Sequence, residues 1–444
     1  MTSRRDFLGL WAPVLAASLS STAPRLSKSQ DKFLEDLSHR AFLYFWEQSD
    51  PGTGLVRDRA SANGGRESSD FANVASIAAT GFGLTALCIG AERGWIQRAQ
   101  ARERIVTTLR FFMQSANQTH GWFYHFLDAT TGERRFQSEF SSIDTSFLLA
   151  GMLIARQYFP EDDVITELAM RVYQRVDFGW MLNSGRYLLF HGYLPETGFL
   201  TARWDQYCEH CLLYLLAIGT PSDPIPPGAW QAWKRVFYTY SGMTYVTGGP
   251  LFIHQYSHAW VDFRGRREAR GQRINYFDNS ITATVAHRKF CMDLRRKFPG
   301  YSPLVWGITA SDSAKGYVAW GGPPADAAID GSVVPCAAGG SLMFTPELSI
   351  AALMHMRDAF GDRVWKRYGF VDAFHPKNGW TDTEVVGIDL GITLLSAENL
   401  RSGSVWRWFM ANEEITTALA LAGLELEPSA LLQPQKRAPR KGPG

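Results

Sequence analysis

The chain has 444 residues, of which 45% are hydrophobic and 13% are aromatic, including 15 tryptophans. This length and composition predict a globular protein with a large core, built as one helical unit or as two or three domains. The 45 basic and 43 acidic residues leave a net charge of +2, so no polybasic field points to nucleic acid or to an anionic membrane as a partner.

The first 25 residues are interpreted as a targeting segment. Arg4 and Arg5 precede an apolar stretch over residues 8–23 that is too short to span a bilayer, and this pattern is typical of a twin-arginine signal. No later stretch reaches about 18 consecutive apolar residues, so the sequence predicts no membrane insertion. We therefore expect a signal peptide over 1–25, export to the periplasm or the medium, one folded domain over 26–428 and a basic, disordered tail over 429–444.

Hydrophobic periodicity predicts helices that alternate between an apolar and an amphipathic type. Apolar helices, which we expect to lie inside, are predicted over residues 74–90, 141–159, 204–219 and 387–399. Amphipathic helices, which we expect to lie outside, are predicted over residues 99–116, 163–176, 227–240 and 405–423. Further helices are predicted over residues 27–48, 279–298 and 346–360. About eleven or twelve helices in this order predict an all-α fold, an (α/α)6 barrel with six inner and six outer helices.

Long connections rich in glycine and aromatic residues separate these helices. They cover residues 120–134, 185–199, 246–277, 301–342 and 370–386. Loops of such length in a compact domain are usually functional, so we expect them to form the rim of a pocket.

Two of the predicted inner helices have carboxylates at their start. Glu139 and Asp144 flank the start of one, and Glu209 precedes the apolar run CLLYLLAI of the next. A buried acid is costly unless it is paired or used, and an apolar setting raises the pKa of a carboxyl group toward the value that a general acid needs. Asp144 could equally be a capping residue that the helix dipole stabilises. Glycoside hydrolysis needs two such carboxyl groups across a sugar.

A second set of residues has the chemistry of a sugar subsite, where rings stack on pyranose faces and polar groups bind hydroxyls. Within residues 254–264, a metal site at His254 and His258 is a weak alternative, because no third ligand is evident. Asp262 and Arg264 could instead form a buried ion pair. Asp389 could supply an opposing carboxylate or a substrate clamp. The candidate substrate-binding residues are Trp122, His125, His254, Gln255, His258, Trp260, Asp262, Arg264, Trp306, Trp380 and Asp389.

The five cysteines cannot all be paired, which makes a disulfide framework a poor interpretation. Cys208 and Cys211 form a CEHC motif that could bind zinc or carry redox chemistry. Because no second Cys/His pair lies nearby and the motif leads into an apolar helix, burial is the favoured alternative.

Six blocks of sequence, in this order, resemble the glycoamylase-like family: SSIDTSFLLAGMLIARQYF, FIHQYSHAWVDFRGRR, NYFDNSITAT, WGITASD, GFVDAFHPKNGW and GIDLGITLLSAEN. This family includes bacterial endo-β-1,2-glucanases and the transglycosylase domain of cyclic β-1,2-glucan synthases. The resemblance implies an (α/α)6 barrel over residues 26–428 that acts on a β-glucan, with β-1,2-linked glucan as the first expectation, and that needs neither metal nor cofactor. It also implies catalytic roles for Asp144 and Glu209, with Glu139 competing for the role of base.

The sequence thus predicts an exported glycoside hydrolase, in particular an endo-β-1,2-glucanase, with Glu209 as general acid and Asp144 or Glu139 as base acting through a water. Two alternatives stay open: a transglycosylase on the same fold, and a periplasmic glycan-binding protein without turnover. The expected partner is an oligo- or polysaccharide rather than nucleic acid or a membrane.

Overall fold

The computed structural model describes residues 26–65, 71–247, 249–324 and 328–428. In these residues the chain forms fourteen α-helices: α1 (Lys28–Glu47), α2 (Ile77–Glu92), α3 (Arg98–Gln114), α4 (Ser142–Tyr158), α5 (Asp163–Arg175), α6 (Cys211–Gly219), α7 (Ala229–Ala232), α8 (Tyr256–Trp260), α9 (Tyr276–Asp293), α10 (Pro335–Gly339), α11 (Pro346–Phe360), α12 (Gly387–Arg401), α13 (Ser404–Met410) and α14 (Glu413–Ala422). The predicted signal peptide and the predicted basic tail lie outside the described residues and stay predictions. Among the described helices, none combines the length and apolar character that crossing a membrane requires.

Short strands of two to four residues lie in the connections between the helices. They are β1 (Arg59–Ser61), β2 (Val74–Ser76), β3 (Gln118–Thr119), β4 (Trp122–Phe123), β5 (Phe126–Asp128), β6 (Phe140–Ser141), β7 (Gly192–Leu194), β8 (Gly198–Phe199), β9 (Phe237–Tyr240), β10 (Met243–Val246), β11 (Arg266–Glu268), β12 (Trp365–Lys366), β13 (Gly369–Phe370), β14 (Glu384–Val386) and β15 (Leu424–Leu426). They pair antiparallel in twos, apart from the three-stranded sheet β6–β7–β8. The fold is therefore all-α, and the strands shape its loops.

Six helices form the inner ring of an (α/α)6 barrel: α2, α4, α6, α8, α10 and α12. Paired glycines set the distance between α2 and α4. A Cβ on Gly81 would lie 2.1 Å from the carbonyl oxygen of Phe147, and a Cβ on Gly151 would lie 2.2 Å from the carbonyl oxygen of Gly81. Any larger residue would push the two helices apart, because atoms in a packed core cannot approach so closely. The glycines thus fix the position of the helix that begins with Asp144.

The outer layer consists of α1, α3, α5, α9 and α11. A capping box of Ser27 and Gln30 starts α1, and Phe33, Leu37 and Ala41 lie on its buried face. This face packs against both α2 and α12, so α1 closes the ring between its first and last inner helices. The predicted alternation of inner and outer helices is confirmed here.

The predicted outer helix over 227–240 is wrong. Only α7 is helical there, and the chain continues into the hairpin β9–β10, in which Tyr240 pairs with Met243. Ser241 and Gly242 connect the strands, both with positive φ, as a tight turn of the type favoured in hairpins requires. The segment FYTYSGMTYV alternates with a period of two residues, which is typical of a strand rather than of a helix. The hairpin packs along α9 in place of an outer helix.

The predicted inner helix over 204–219 begins later than expected, because residues 204–210 are irregular and α6 starts at Cys211. The rings of Trp204 and His210 lie 5.7 Å apart, and His210 also contacts Trp233 at 4.8 Å. Glu209 therefore lies in a tightly packed loop directly before the inner helix.

The segment predicted as one outer helix over 405–423 forms two helices that close one end of the barrel. The indole of Trp406 in α13 donates to the carbonyl oxygen of His258 at 2.7 Å, near the end of α8. Glu414 in α14 accepts from Arg156 near the end of α4 at 2.7 Å. Both contacts lie at the C-terminal ends of inner helices, which leaves their N-terminal ends as the open mouth.

Candidate active site

Acidic side chains collect at the N-terminal ends of the inner helices. Asp144 lies in the first turn of α4, Asp389 lies in the first turn of α12, and Glu209 precedes α6 by two residues. The unpaired backbone N–H groups and the helix dipole favour negative charge at these positions. The three acids are 6–9% exposed, so each reaches the pocket through a small part of its surface.

The His125 cluster consists of His125, Glu139 and Asp144. The Nδ1 atom of His125 lies 3.3 Å from Oε1 of Glu139, and its Nε2 atom lies 3.6 Å from Oδ1 of Asp144. Ser141, the N-cap of α4, also donates its hydroxyl to Asp144. The pairing of β6 with β7 and the loop before α4 bring these side chains together.

The histidine is the cation of this cluster. Burial alone would lower the pKa of His125, but the carboxylates of Asp144 and Glu139 raise it to about 9. Burial raises the pKa of Glu139, and the hydrogen bond and charge of His125 more than offset this and lower it. For Asp144 burial prevails and the pKa is raised, with a further contribution from Glu139. At neutral pH a protonated His125 therefore lies between one readily ionised carboxylate and one that ionises less readily.

Glu209 is held by its neighbours in the loop before α6. Its side chain accepts a hydrogen bond from the Cys208 thiol, and its backbone carbonyl accepts one from the Ser257 hydroxyl. Burial raises the pKa of Glu209, and the charge of Asp144 raises it further. The loop that carries Glu209 contacts the start of α4, because the Trp204 indole donates to the Ser142 hydroxyl at 2.9 Å.

A second group of charged side chains at the mouth, the Arg59 cluster, is composed of Asp58, Arg59, Asp312, Asp372, Asp382 and Glu384. Arg59 Nη1 lies 2.8 Å from Asp312 and 3.3 Å from Glu384, and its Nε lies 3.1 Å from Asp58. The pairing of β1 with β14 brings the segment of Asp58 and Arg59 next to that of Asp382 and Glu384.

Three acids of the Arg59 cluster lie close to one another. One carboxylate oxygen from each of Asp312, Asp372 and Asp382 lies within 4.8 Å of the others. Burial and the charge of Asp312 raise the pKa of Asp382 to about 6. Burial, followed by the charge of Asp389, raises the pKa of Asp372 well above its ordinary range.

Asp58 links the two clusters. It is bound to Arg59, and its charge also contributes to the raised pKa values of His125 and Asp144. Helix α2 lies between α4 and α12 and packs against both. The Ile77 N–H donates to the His125 carbonyl at 3.2 Å, and the Asp58 N–H donates to the Val74 carbonyl at 2.9 Å, so both clusters lie at the start of α2, at the same end of the barrel.

Each cluster contains three side chains that could surround a metal ion: His125, Glu139 and Asp144 in one, and Asp312, Asp372 and Asp382 in the other. In both, a cationic side chain of the protein already lies against the carboxylates. The positive charge that a metal ion would supply is thus partly present in the chain. The expectation that the protein needs no metal or cofactor stays a prediction.

The structure brings together the predicted residues His125, Glu139 and Asp144, and it places Glu209 and Asp389 at the starts of two other inner helices. Trp380 is half-buried in the loop that leads to Asp382. Its position at the rim is compatible with the predicted contact to a sugar.

Several other predicted contacts to sugar are corrected because the side chains lie in the core. Trp122, Trp260 and Trp306 have no exposed surface, so they offer no ring face to a sugar. The same holds for three polar residues that are at most 2% exposed: His254, Gln255 and His258. His254 contacts the Tyr207 hydroxyl, and His258 contacts the Ser280 hydroxyl. Neither histidine is placed as a metal ligand, and both support the pocket from behind.

Asp262 and Arg264 form a bidentate ion pair at 2.8 Å, but the pair lies beyond the C-terminal end of α8. The Arg264 side chain is 51% exposed and lies over the ring of Trp406. The Asp262–Arg264 pair is therefore not the predicted buried ion pair, because both side chains are partly exposed. It is not the predicted substrate contact either, because it lies at the closed end of the barrel.

All five cysteines are free thiols. Cys211 is buried in α6, and Cys208 is half-buried and bonded to Glu209. This arrangement agrees with the burial favoured for Cys211 and gives Cys208 a contact that the sequence did not predict.

Arg59 and Asp312 belong to the Arg59 cluster but were not predicted as residues of the pocket. They lie in two segments that are far apart in sequence, and each segment leads toward an inner helix. The signal that found Asp144 and Glu209, an acid directly before an apolar helix, is absent at these positions.

Comparison with known proteins agrees with the fold described above. The Glycoamylase family model, described as "Putative glucoamylase", matches residues 201–413. The solved structure of an endo-β-1,2-glucanase from Chitinophaga pinensis, in complex with sophorotriose and glucose, is 30% identical and superposes with a TM-score of 0.82 over 90% of this chain and 99% of that chain. The chain belongs to the glycoamylase-like family. The fold that the resemblance implied is thereby confirmed.

Two further relatives of this glycoamylase-like protein come from Parabacteroides distasonis. A curated exo β-1,2-glucooligosaccharide sophorohydrolase (non-reducing end) is 27% identical over 437 residues, which cover 90% of this chain and 58% of that protein. A solved β-1,2-glucanase is 26% identical, with a TM-score of 0.81, over 90% of this chain and 60% of that chain. The chain thus spans less than two thirds of the length of these two relatives.

Proposed function

We propose that this glycoamylase-like protein is an exported glycoside hydrolase that cleaves β-1,2-glucan, with Glu209 as general acid. The observation that carries the proposal is the placement of Glu209. It is a 9% exposed carboxyl at the open mouth, its pKa is raised by burial and by Asp144, and its loop contacts the start of α4, the helix that carries Asp144.

A raised pKa favours the protonated form of Glu209, and that form can donate its proton to the leaving oxygen of a glycosidic bond. The same apolar packing that raises the pKa also fixes the loop that carries it, since Trp204 and His210 pack together. The acid is therefore preorganised by the chain on both sides of it.

The base acting through a water is assigned to Asp144, with Glu139 as the competing residue. Asp144 is the member of the His125 cluster whose charge reaches Glu209. Glu139 is the more readily ionised of the two, but its hydrogen bond to His125 makes it a weaker base. Asp389, in the first turn of α12, is a third carboxylate that could activate a water.

The linkage and the mode of cleavage are proposed from the relatives. The endo-β-1,2-glucanase that this chain covers almost completely supports endo action on β-1,2-glucan. The sophorohydrolase supports the same linkage with exo action. The length of the first products distinguishes the two modes. Transfer products would instead indicate a transglycosylase, and tight binding without turnover would indicate a glycan-binding protein.

The test of the proposal is the activity of Glu209→Gln on β-1,2-glucan. The variant keeps the size of the side chain and cannot act as an acid, so we expect kcat to fall by about 100- to 10,000-fold, the range typical of general acid catalysis. Glu161→Gln is the matched control, because Glu161 is 65% exposed and pairs with Arg98 on an outer helix. Full activity of a folded Glu209→Gln variant would overturn the assignment.

A further inference from the structure

Phe136 is a large apolar side chain that stays 48% exposed in the loop between β5 and β6. This loop leads into α4, the inner helix whose first turn carries Asp144. A single exposed apolar residue is common on protein surfaces and needs no explanation by itself. Phe136 differs from such residues in its backbone conformation and in the side chains that it contacts.

The backbone at Phe136 has an uncommon conformation. Phe136 and Gln137 have φ values of 53° and 50°, in the left-handed region that residues with bulky side chains rarely adopt. The guanidinium of Arg134 holds this turn by donating to the carbonyl oxygens of Gln137 at 2.7 Å and Ser138 at 2.6 Å. Strained backbone of this kind is found mainly where the chain holds a ligand. The turn thus keeps an apolar ring at the protein surface.

Two other aromatic rings support Phe136. The centroid of its ring lies 5.0 Å from that of Phe71 and 5.9 Å from that of Phe126, with the planes inclined by 52° and 80°. The two supporting rings are half-buried, whereas Phe136 is exposed. Phe136 therefore rests on a firm aromatic base and still offers about half of its surface to solvent.

The supporting rings connect Phe136 to both acid clusters. Phe126 stacks on the imidazole of His125 with a centroid distance of 3.8 Å and an interplanar angle of 16°. Phe71 lies beneath the guanidinium of Arg59, which is 4.4 Å from its ring centroid. A continuous row of rings thus runs from the His125 cluster to the Arg59 cluster, and Phe136 is its exposed member at the mouth of the barrel.

The size and chemistry of this exposed ring fit one sugar unit. A glucosyl ring presents C–H groups on its faces and hydroxyls at its edge, so an aromatic ring can cover a face while polar groups bind the edge. Gln137, which is exposed beside Phe136, offers an amide for such hydroxyls. A protein partner would require an apolar area of several hundred Å², far more than one ring supplies.

We propose that Phe136 is a stacking platform for one glucosyl unit of the bound glucan, supported by Phe71 and Phe126. The identity of the sugar chain rests on the proposed function. Because Phe136 is more exposed than the carboxyl groups of the mouth, it contacts a unit outside the site of cleavage. The platform therefore acts on the binding of long chains more than on that of short ones.

The test is the affinity of short and long β-1,2-linked oligosaccharides for Glu209→Gln, measured by calorimetry so that cleavage does not interfere. In this background, Phe136→Ala should weaken binding of long chains by about 3- to 10-fold, the contribution typical of one stacked ring. Binding of the disaccharide should change less. Phe136→Tyr should keep the affinity, and Phe136→Leu, which is apolar but not flat, should lose it as Phe136→Ala does. Equal affinity of Phe136→Ala and its parent for every chain length would overturn the platform.

The matched control is Leu421→Ala, because Leu421 is 51% exposed in α14 at the closed end of the barrel. This substitution should leave the affinity unchanged at every chain length. If Phe136 served only to support the His125 cluster, Phe136→Ala would lower kcat and Tm, and Phe136→Leu would restore both. That pattern, with unchanged affinity for the long chains, would overturn the platform.

The binding measurement separates this inference from the proposed function. Affinity that depends on Phe136, in a protein whose wild type cleaves no glucan, would overturn the hydrolase and support the platform. Cleavage by the wild type, with affinity independent of Phe136, would overturn the platform alone. If Glu209→Gln binds no β-1,2-linked oligosaccharide of any length, the platform is overturned whatever the wild type cleaves.

Discussion

The two acid clusters at the mouth of the barrel compensate their negative charge in different ways. In the His125 cluster, one histidine between two carboxylates becomes a cation, with its pKa raised to about 9. In the Arg59 cluster, one arginine contacts three acids, and the acids beyond its reach have raised pKa values. One cluster has a cation that can titrate, and the other combines a permanent cation with carboxyl groups whose pKa values are raised.

This difference suggests a division of roles across the pocket. His125 can gain or lose its proton, so the net charge around Glu139 and Asp144 can change when charge develops on a nearby substrate. Arg59 does not titrate in the physiological range, so the Arg59 cluster keeps a fixed arrangement of donors and acceptors. Under the proposed function, we expect proton transfer at Glu209 and the His125 cluster, and orientation of the glucan at the Arg59 cluster.

The largest expected effect concerns the base. Asp144→Asn should lower kcat on β-1,2-glucan by about 100- to 10,000-fold if Asp144 activates the water, and Glu139→Gln should have a smaller effect. Steady-state kinetics of purified variants measures both. Asp262→Asn is the matched control, because Asp262 lies at the closed end of the barrel.

This comparison also shows how the division of roles could fail. If Asp389→Asn abolishes kcat while Asp144→Asn retains it, the base belongs to the opposite side of the pocket. A loss confined to KM in Asp389→Asn would support orientation of the substrate as the role of that side.

The next effect concerns stability. Arg59 and its three partners are 10–16% exposed, so Arg59→Gln leaves buried carboxylates without their cation. We expect the free energy of unfolding to fall by about 3 kcal/mol, as for removal of one partner from a buried ion pair. Arg367→Gln is the control, because its ion pair with Glu47 is more exposed and should contribute at most about 1 kcal/mol. Equal losses in urea denaturation would contradict a special role for Arg59.

The smallest effect depends on pH. The folded protein raises the pKa of His125 from its ordinary value of about 6.5 to about 9. Its ion pairs therefore contribute stability that is fully present below pH 6.5 and lost as pH rises through 9. Because His125 is 29% exposed, we expect this contribution to be about 1–2 kcal/mol. Urea denaturation of wild type and His125→Gln at pH 6, 7.5 and 9.5 measures it, and a difference independent of pH would contradict the account.

Much of the barrel could be predicted from the sequence because inner helices are apolar on all sides and outer helices are not. The same logic identified Asp144 and Glu209, since an acid directly before an apolar helix is conspicuous. The helix predicted over 227–240 is wrong because the aromatic residues there have the period of two that is typical of strands. The prediction also failed for the Trp122, Trp260 and Trp306 side chains, because a tryptophan that fills the core and one that binds a sugar are identical in sequence.

The Arg59 cluster could not be predicted for a different reason. Its members come from four segments, and their proximity depends on the pairing of β1 with β14 and on the loop before Asp312. Neither contact leaves a local pattern in the sequence. The raised pKa values of Asp372 and Asp382 depend on the same assembly.

The most direct test of the account is the action of the purified protein on a panel of polysaccharides, with products separated by chromatography. The panel comprises β-1,2-, β-1,3-, β-1,4- and β-1,6-glucans together with starch. We predict β-1,2-linked oligosaccharides from β-1,2-glucan alone, and no such products from Glu209→Gln. Cleavage of starch or of another β-glucan in preference to β-1,2-glucan, or no cleavage of any polymer, would contradict the account.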